Sequence, residues 1–292
     1  MAQEGKFLRR DCRIAMAPKS SMVQSGVLKR QDSHAARAKA RGAAKVGVRP
    51  TTGVRGKSGV ELASALEFFG EMSHNSRTIV EKMKRSGLPF VESPGILFVL
   101  EPLSVSAIKE QIFMNLKHGP TITKLRFLAA TDFPFDFNGF SDIVKQYLPA
   151  VKLISFASLT FGEYLHFSNF ELKGLDQVQS LELCGCRFED DKLNLCLGSL
   201  KNIKMHMVRK LNPHAFAQSL LQCPRIENLR VSRGCEFRAA EMPTLYLPYC
   251  KLFDFNGRGI STLSAYLPRV KIVDFDNNPD LQHFEPVTQG CG

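Results

Sequence analysis

From Ile122 onward one pattern of apolar residues returns at short, uneven intervals. It narrows the possible architectures more than any other feature of the chain. An apolar residue is followed by two others, an apolar one, one other, an apolar one, two others, and then a small or polar residue. Val270–Leu281, "VKIVDFDNNPDL", is the clearest case, with Val270, Val273, Phe275, Asn278 and Leu281 in place. Val178–Phe188, Val151–Phe161 and Cys250–Ile260 follow it, and Ile226–Phe237 does so with one inserted residue before Cys235. Ile122–Ala130 carries the first half, and Ile203–Leu211 fits least well because His206 takes a core position. The starts fall at 122, 151, 178, 203, 226, 250 and 270, spaced by 29, 27, 25, 23, 24 and 20 residues. Units of this size cannot bury an apolar face alone, so they must stack.

Between the strand-like pieces lie segments that read as helices: "FSDIVKQYLPA", "NFELKGLDQ", "KLNLCLGSLKN", "PHAFAQSLLQCPR" and "STLSAYLPR". Several end in Leu-Pro or Cys-Pro, where proline stops a helix and frees the next residue to start a strand. With Asn278 and Cys186 at the turn position, the series resembles the leucine-rich repeat superfamily, in its irregular Cys/Asn-turn form, over residues 120–285. That resemblance implies an α/β solenoid: a curved parallel sheet with helices on its convex side. It also implies protein binding on the concave strand face. The expected organisation is a disordered basic tail at 1–59, a helical N-terminal cap at 60–119, the repeats at 120–285 and a short tail at 286–292. Within the cap, "ILFVL" reads as a strand and Ser104–Lys117 as a helix.

On this register the residues between the apolar positions face outward. They are Lys124, Arg126, Leu153, Ser155, Ala157, Ser180, Glu182, Cys184, Met205, Met207, Arg209 and Lys210. Asn228, Arg230, Ser232, Arg233, Leu252, Asp254, Asn256, Ile272, Asp274 and Asp276 continue the series. Two groups of one sign emerge, a basic one of Arg209, Lys210, Arg230 and Arg233 and an acidic one of Asp254, Asp274 and Asp276. Separated signs suit a protein partner of opposite pattern, because such charges set register and on-rate.

Net charge is +11, with 39 basic and 28 acidic residues. Residues 1–60 hold 14 of the bases and 3 of the acids, which leaves 25 of each for the remainder. The whole excess therefore belongs to a segment poor in apolar and aromatic residues, which cannot offset the cost of ordering (about 1–2 kcal/mol per residue for backbone alone). It can serve as a targeting segment, a nucleic-acid or nuclear-import tail through Lys29, Arg30, Arg37, Lys39 and Arg41, or a plain solvated tail.

"TTGVRGKSGVEL" at Thr51–Leu62 ends like a phosphate-binding loop, with Lys57 and Ser58. That loop needs GxxxxGK[ST] between a strand and a helix. Thr51 stands where the first glycine belongs, and Pro50 closes a weak strand candidate. A hinge with Ser58 as N-cap is the expectation, and a nucleotide-binding enzyme using Lys57 is the weakest alternative.

The histidines show no HExxH spacing, and "CGC" at Cys184–Cys186 with Cys196 lacks CxxC spacing, so no metal and no cofactor is expected. Eight cysteines in 292 residues suggest reduced thiols and an intracellular place, cytoplasmic or nuclear, with organelle import open. No apolar run approaches the roughly 18 residues of a membrane helix. The functional expectation is a noncatalytic interaction module, a scaffold, adaptor or assembly subunit. The alternative is a ribonucleoprotein subunit using the basic tail.

Overall fold

The computed structural model describes residues 81, 83, 85, 87–100, 104–129, 132–159, 162–232, 234–275 and 278–288. The expected tail, Lys57, and the hinge with its Ser58 cap lie outside them.

A nine-stranded sheet organises the described chain. Its strands are β1 (Phe90–Ser93), β2 (Ile96–Leu100), β3 (Lys124–Ala129), β5 (Leu153–Ser158), β8 (Ser180–Cys184), β11 (Asn202–His206), β12 (Asn228–Val231), β14 (Leu252–Phe255) and β16 (Ile272–Asp274), neighbours in that order. Only β1 with β2 is antiparallel; the other pairs run parallel. Between successive parallel strands the chain makes a coil with two further sides. The second side holds β4 (Phe133–Asp136), β6 (Leu165–Ser168) and β9 (Cys186–Phe188), continued by single bridges Arg187–Arg209, Leu211–Phe237 and Glu236–Arg258. On the third side lie β7 (Phe170–Lys173) paired with β10 (Leu193–Cys196), and β13 (Leu245–Tyr246), β15 (Thr262–Tyr266) and β17 (His283–Val287). Two helices, Phe140–Tyr147 and Pro213–Leu221, complete that side and pack on β7 and on β10 and β13 respectively.

This corrects the expected fold class. A leucine-rich-repeat solenoid carries helices along its convex side; here that side is mostly strand. "NFELKGLDQ", "KLNLCLGSLKN" and "STLSAYLPR" form β7, β10 and β15 because their apolar residues alternate: Phe170/Leu172, Leu193/Leu195 and Leu263/Ala265 are buried with their intervening residues more exposed. A period of two builds a half-buried strand. The two helices of that side carry a helical period instead; helical turns also span Val105–Asn115, within the expected helix at Ser104–Lys117. Phe140, Ile143, Val144 and Leu148 fall on one face, as do Phe216, Ala217 and Leu220. The second starts on Pro213, and Asn212 Oδ1 accepts from the His214 and Ala215 amides at 2.9 and 3.1 Å.

Equivalent turns set each coil against the last. The amides of Val151, Val178, Leu200, Cys250 and Val270 donate to carbonyls three residues earlier, those of Leu148, Leu175, Leu197, Leu247 and Leu267. The fourth unit therefore begins at Leu200 rather than Ile203. Its core positions are Leu200, Ile203 and Met205, and His206 is freed from the core. Gly185 turns the chain from β8 to β9 at φ +60°, where an added Cβ would lie 2.8 Å from Ser158 Cβ.

Inside, Phe127, Phe135, Phe137, Phe140, Phe156, Phe167, Phe170 and Phe188 pack ring against ring with centroids 4.4–6.2 Å apart. Asn278 accepts from the Leu281 amide at 3.1 Å and donates to the Phe255 carbonyl at 3.3 Å, tying the last turn to the coil before it.

Candidate interaction surface

Parallel register aligns side chains in rows across the outer face of the main sheet. One row is Lys124, Leu153, Ser180, Asn202, Asn228, Leu252 and Ile272; two residues on lies Arg126, Ser155, Glu182, Lys204, Arg230, Asp254 and Asp274. In the first row a polar ladder forms: Asn228 Nδ2 donates to Asn202 Oδ1 at 2.7 Å, and Asn202 Nδ2 to Ser180 Oγ at 3.0 Å.

The two halves of this face differ. Over β2, β3, β5 and β8 it is sealed: Phe98, Leu100, Leu128, Ala157, Leu159 and Cys184 form an apolar cluster with Met83, separate from the main core. Arg126 and Ser155 are buried there, with Arg126 Nη2 3.9 Å from Glu182 Oε2. Over β11, β12, β14 and β16 the face is open. Arg230 is exposed, Lys204, His206 and Asp254 are half-exposed, and Ile272 on the edge strand is 56% exposed. A groove of ≈ 450 Å³ runs over the junction, lined by Lys124, Ser180, Glu182, Asn202, Lys204 and Arg230 among others.

Within the open half the signs remain separated. Lys204 and Arg230 are cross-strand neighbours, then Arg230 and Asp254, then Asp254 and Asp274. Burial holds the Lys204 ammonium below the usual lysine range; Glu182 opposes this and Arg230 adds to it. Burial raises the Asp254 carboxyl, with Asp274 adding to the rise and Asn256 and Arg230 opposing it.

Of the residues expected on this face, Arg230, Asp254 and Asp274 are in one row. Arg233 and Asp276 lie outside the described residues. Arg209 and Lys210 are corrected: they sit on the second side of the coil, past a corner at Met207 with φ 51°. Arg209 lies 4.9 Å over the Tyr164 ring, and Lys210 Nζ is 3.7 Å from Glu189. Met205 is likewise corrected, since it points into the core while Lys204 and His206 face out. The Leu-x-x-Leu of "LGSLKNIKM" was the signal for that register, because the other coils start from the same four-residue turn.

Beside Arg209, His166 Nδ1 meets Glu189 Oε1 at 2.7 Å, and His166 Nε2 is 3.4 Å from Asp132. The Tyr164 amide donates to Asp132 at 2.6 Å and leads the causes that hold that carboxyl below its usual range. Burial pushes the Glu189 carboxyl up, but the hydrogen bond from His166, with Arg187 and Lys210, leaves it lowered overall. On the open face His206 Nδ1 is 2.9 Å from Ser232 Oγ. Ser232 Oγ also lies 2.8 Å from the Met205 carbonyl, so that carbonyl and His206 are alternative acceptors for its single proton.

Cys186 lies in the main core and Cys184 in the cluster on the opposite face, so the two do not converge. Burial raises the Cys184 thiol to about 12 and holds Cys186 well above the usual thiol range. Among the described residues no group of three or more His, Cys, Asp or Glu side chains could hold a metal ion. None of their helices is long and apolar enough to cross a membrane.

A second basic feature follows from the coil. Thr123, Lys152, Gln179, Lys201, Glu227, Lys251 and Lys271 occupy one position in successive coils, each amide from Lys152 onward donating to the carbonyl of the residue before it in the series. They form an edge at the start of the main strands. The hint in the sequence was a recurring hexapeptide, "YLPAVK" at 147–152, "YLPYCK" at 246–251 and "YLPRVK" at 266–271, which fixes a lysine at that place.

No known family model matches this chain, and no curated protein matches it. The resemblance to leucine-rich repeats therefore stands without support from either comparison, and the strand-built convex side departs from it.

Proposed function

We propose that the protein is a noncatalytic interaction module that docks a polypeptide partner on the open half of the outer sheet face. One observation carries this reading: the face is sealed by the chain's own apolar cluster over β2 to β8 and open from β11 to β16, where Lys204 and Arg230 adjoin Asp254 and Asp274. A partner segment with acids over β11 and β12 and bases over β14 and β16 would be held in one register, with Ile272 supplying apolar contact at the rim. The noncatalytic part is supported by the Met205 carbonyl, which competes with His206 for the Ser232 proton at 2.8 Å.

The test is site-specific photocrosslinking in cell extract. A crosslinker at Ser232 or Leu252 should capture a discrete protein, and one at Gln218 on the third side should not. The pair Arg230→Glu with Asp254→Lys, which swaps the signs, should abolish capture. Equal capture from both sides, or capture indifferent to the swap, sinks the reading.

A further inference from the structure

The lysine edge described above gathers its charge at one place. Lys201, Arg225, Glu227, Tyr249, Lys251 and Arg269 line a groove of ≈ 330 Å³. Glu227 bridges the two lysines, 3.5 Å from Lys201 Nζ and 2.5 Å from Lys251 Nζ, and the Lys251 hydrogen bond leads the causes that lower its carboxyl. One carboxylate thus pins two ammonium groups in place while four cations surround it. Arg225, Tyr249 and Arg269 hold the same position in three successive coils, two residues before Glu227, Lys251 and Lys271. Arg269 lies 4.8 Å from the Tyr249 ring centroid, and Tyr249 is 44% exposed. Three residues earlier in the same two coils, Tyr246 and Tyr266 stack at 4.9 Å and 5°, with Tyr246 exposed as well.

We propose that this edge binds a single-stranded nucleic acid, with its phosphates along Lys201, Arg225, Lys251 and Arg269 and a base on the Tyr249 ring. Two independent features meet here: ordered cations, which any polyanion would seek, and a partly exposed tyrosine among them with one ring face toward Arg269, whose other face suits base stacking. A run of acidic side chains would use the charges and has no planar group to stack on the ring. The site is on a different edge from the open sheet face, so neither reading depends on the other. The excess charge of residues 1–60 would add attraction that is independent of base and position.

Anisotropy titration of the full chain with a fluorescein-labelled twelve-nucleotide oligouridylate separates the contributions, since every variant keeps residues 1–60. Tyr249→Ala should weaken binding about 5-fold or more with an unchanged salt slope, and Tyr249→Phe should restore it. Arg225→Gln with Arg269→Gln should reduce the slope of log affinity against log salt by about 1.4. A 4-thiouridine oligonucleotide should crosslink to the peptide containing Tyr249. Wild-type affinity and slope in all variants, with crosslinks confined to residues 1–60, would overturn the proposal. So would displacement by polyglutamate at equal charge together with indifference to Tyr249→Ala, which would assign the edge to an acidic polypeptide. All three side chains are exposed, so an unchanged melting curve is expected for every variant.

Discussion

Around β5 the core is closed by rings on every side, with Phe156 in contact with Phe127, Phe135, Phe137, Phe140, Phe167 and Phe170. At β16 the equivalent inward row ends on Val273, 42% exposed, and on a half-buried Phe275 that leans on Phe284 at 4.7 Å. The outer face of the same sheet is buried at the first place and only partly buried at the second. Burial on both faces makes a strand a fixed body; burial on one makes it a surface that can exchange water for a partner. Packing is thus graded along the stack, dense toward β3 and β5 and looser toward β16, the end to which the proposed docking face belongs.

The sharpest way to break that comparison is to remove one ring from each end. Phe156→Ala should cost about 3–5 kcal/mol in urea unfolding, and Phe284→Ala less than about 2 kcal/mol, because the latter ring already meets water. Equal losses would mean that the end coil is as well packed as the middle. Next in size is Gly185→Ala at the β8–β9 corner, where positive φ and a 2.8 Å approach to Ser158 combine. A loss of about 1–3 kcal/mol is expected, and a neutral result would show that the corner can relax. Asn202→Ala interrupts the ladder between the sealed and open halves. About 1 kcal/mol should be lost, and amides of β11 should exchange faster than those of β5.

The smallest effect is a pH dependence confined to the open half. Burial first, and Lys204 second, depress the His206 pKa. The unfolded chain therefore binds more protons below about pH 6.5, and stability present above that value is lost as pH falls through the window down to the folded pKa. His206→Gln should flatten part of the fall in urea midpoint between pH 7 and 5. Identical slopes in the two proteins would remove His206 from the account.

The main sheet was legible because its apolar pairs, such as Leu181/Leu183 and Phe253/Phe255, sit between residues that differ from them in polarity. The convex side was not, because short segments such as "NFELK" and "KLNLC" carry too few apolar residues to fix a period. The site was half legible. Arg230, Asp254 and Asp274 follow from strand alternation alone. Arg209 and Lys210 were misplaced because a one-face reading cannot sense the corner at Met207, where a non-glycine residue turns left-handed. The sealing of the outer face depends on Met83, about 100 residues before Cys184 in the chain, and no local pattern reports such a contact.

Neighbour-only pairing between coils has a mechanical consequence. A force applied at the C-terminal side would meet β16 and β17 first, each bonded along one edge only. The stack should then peel one coil at a time, each of roughly 24 residues paying out about 8 nm of chain. The resistance should climb on reaching the phenylalanine-filled coils, so a pulling trace would read the packing of the molecule from its weakest turn to its strongest.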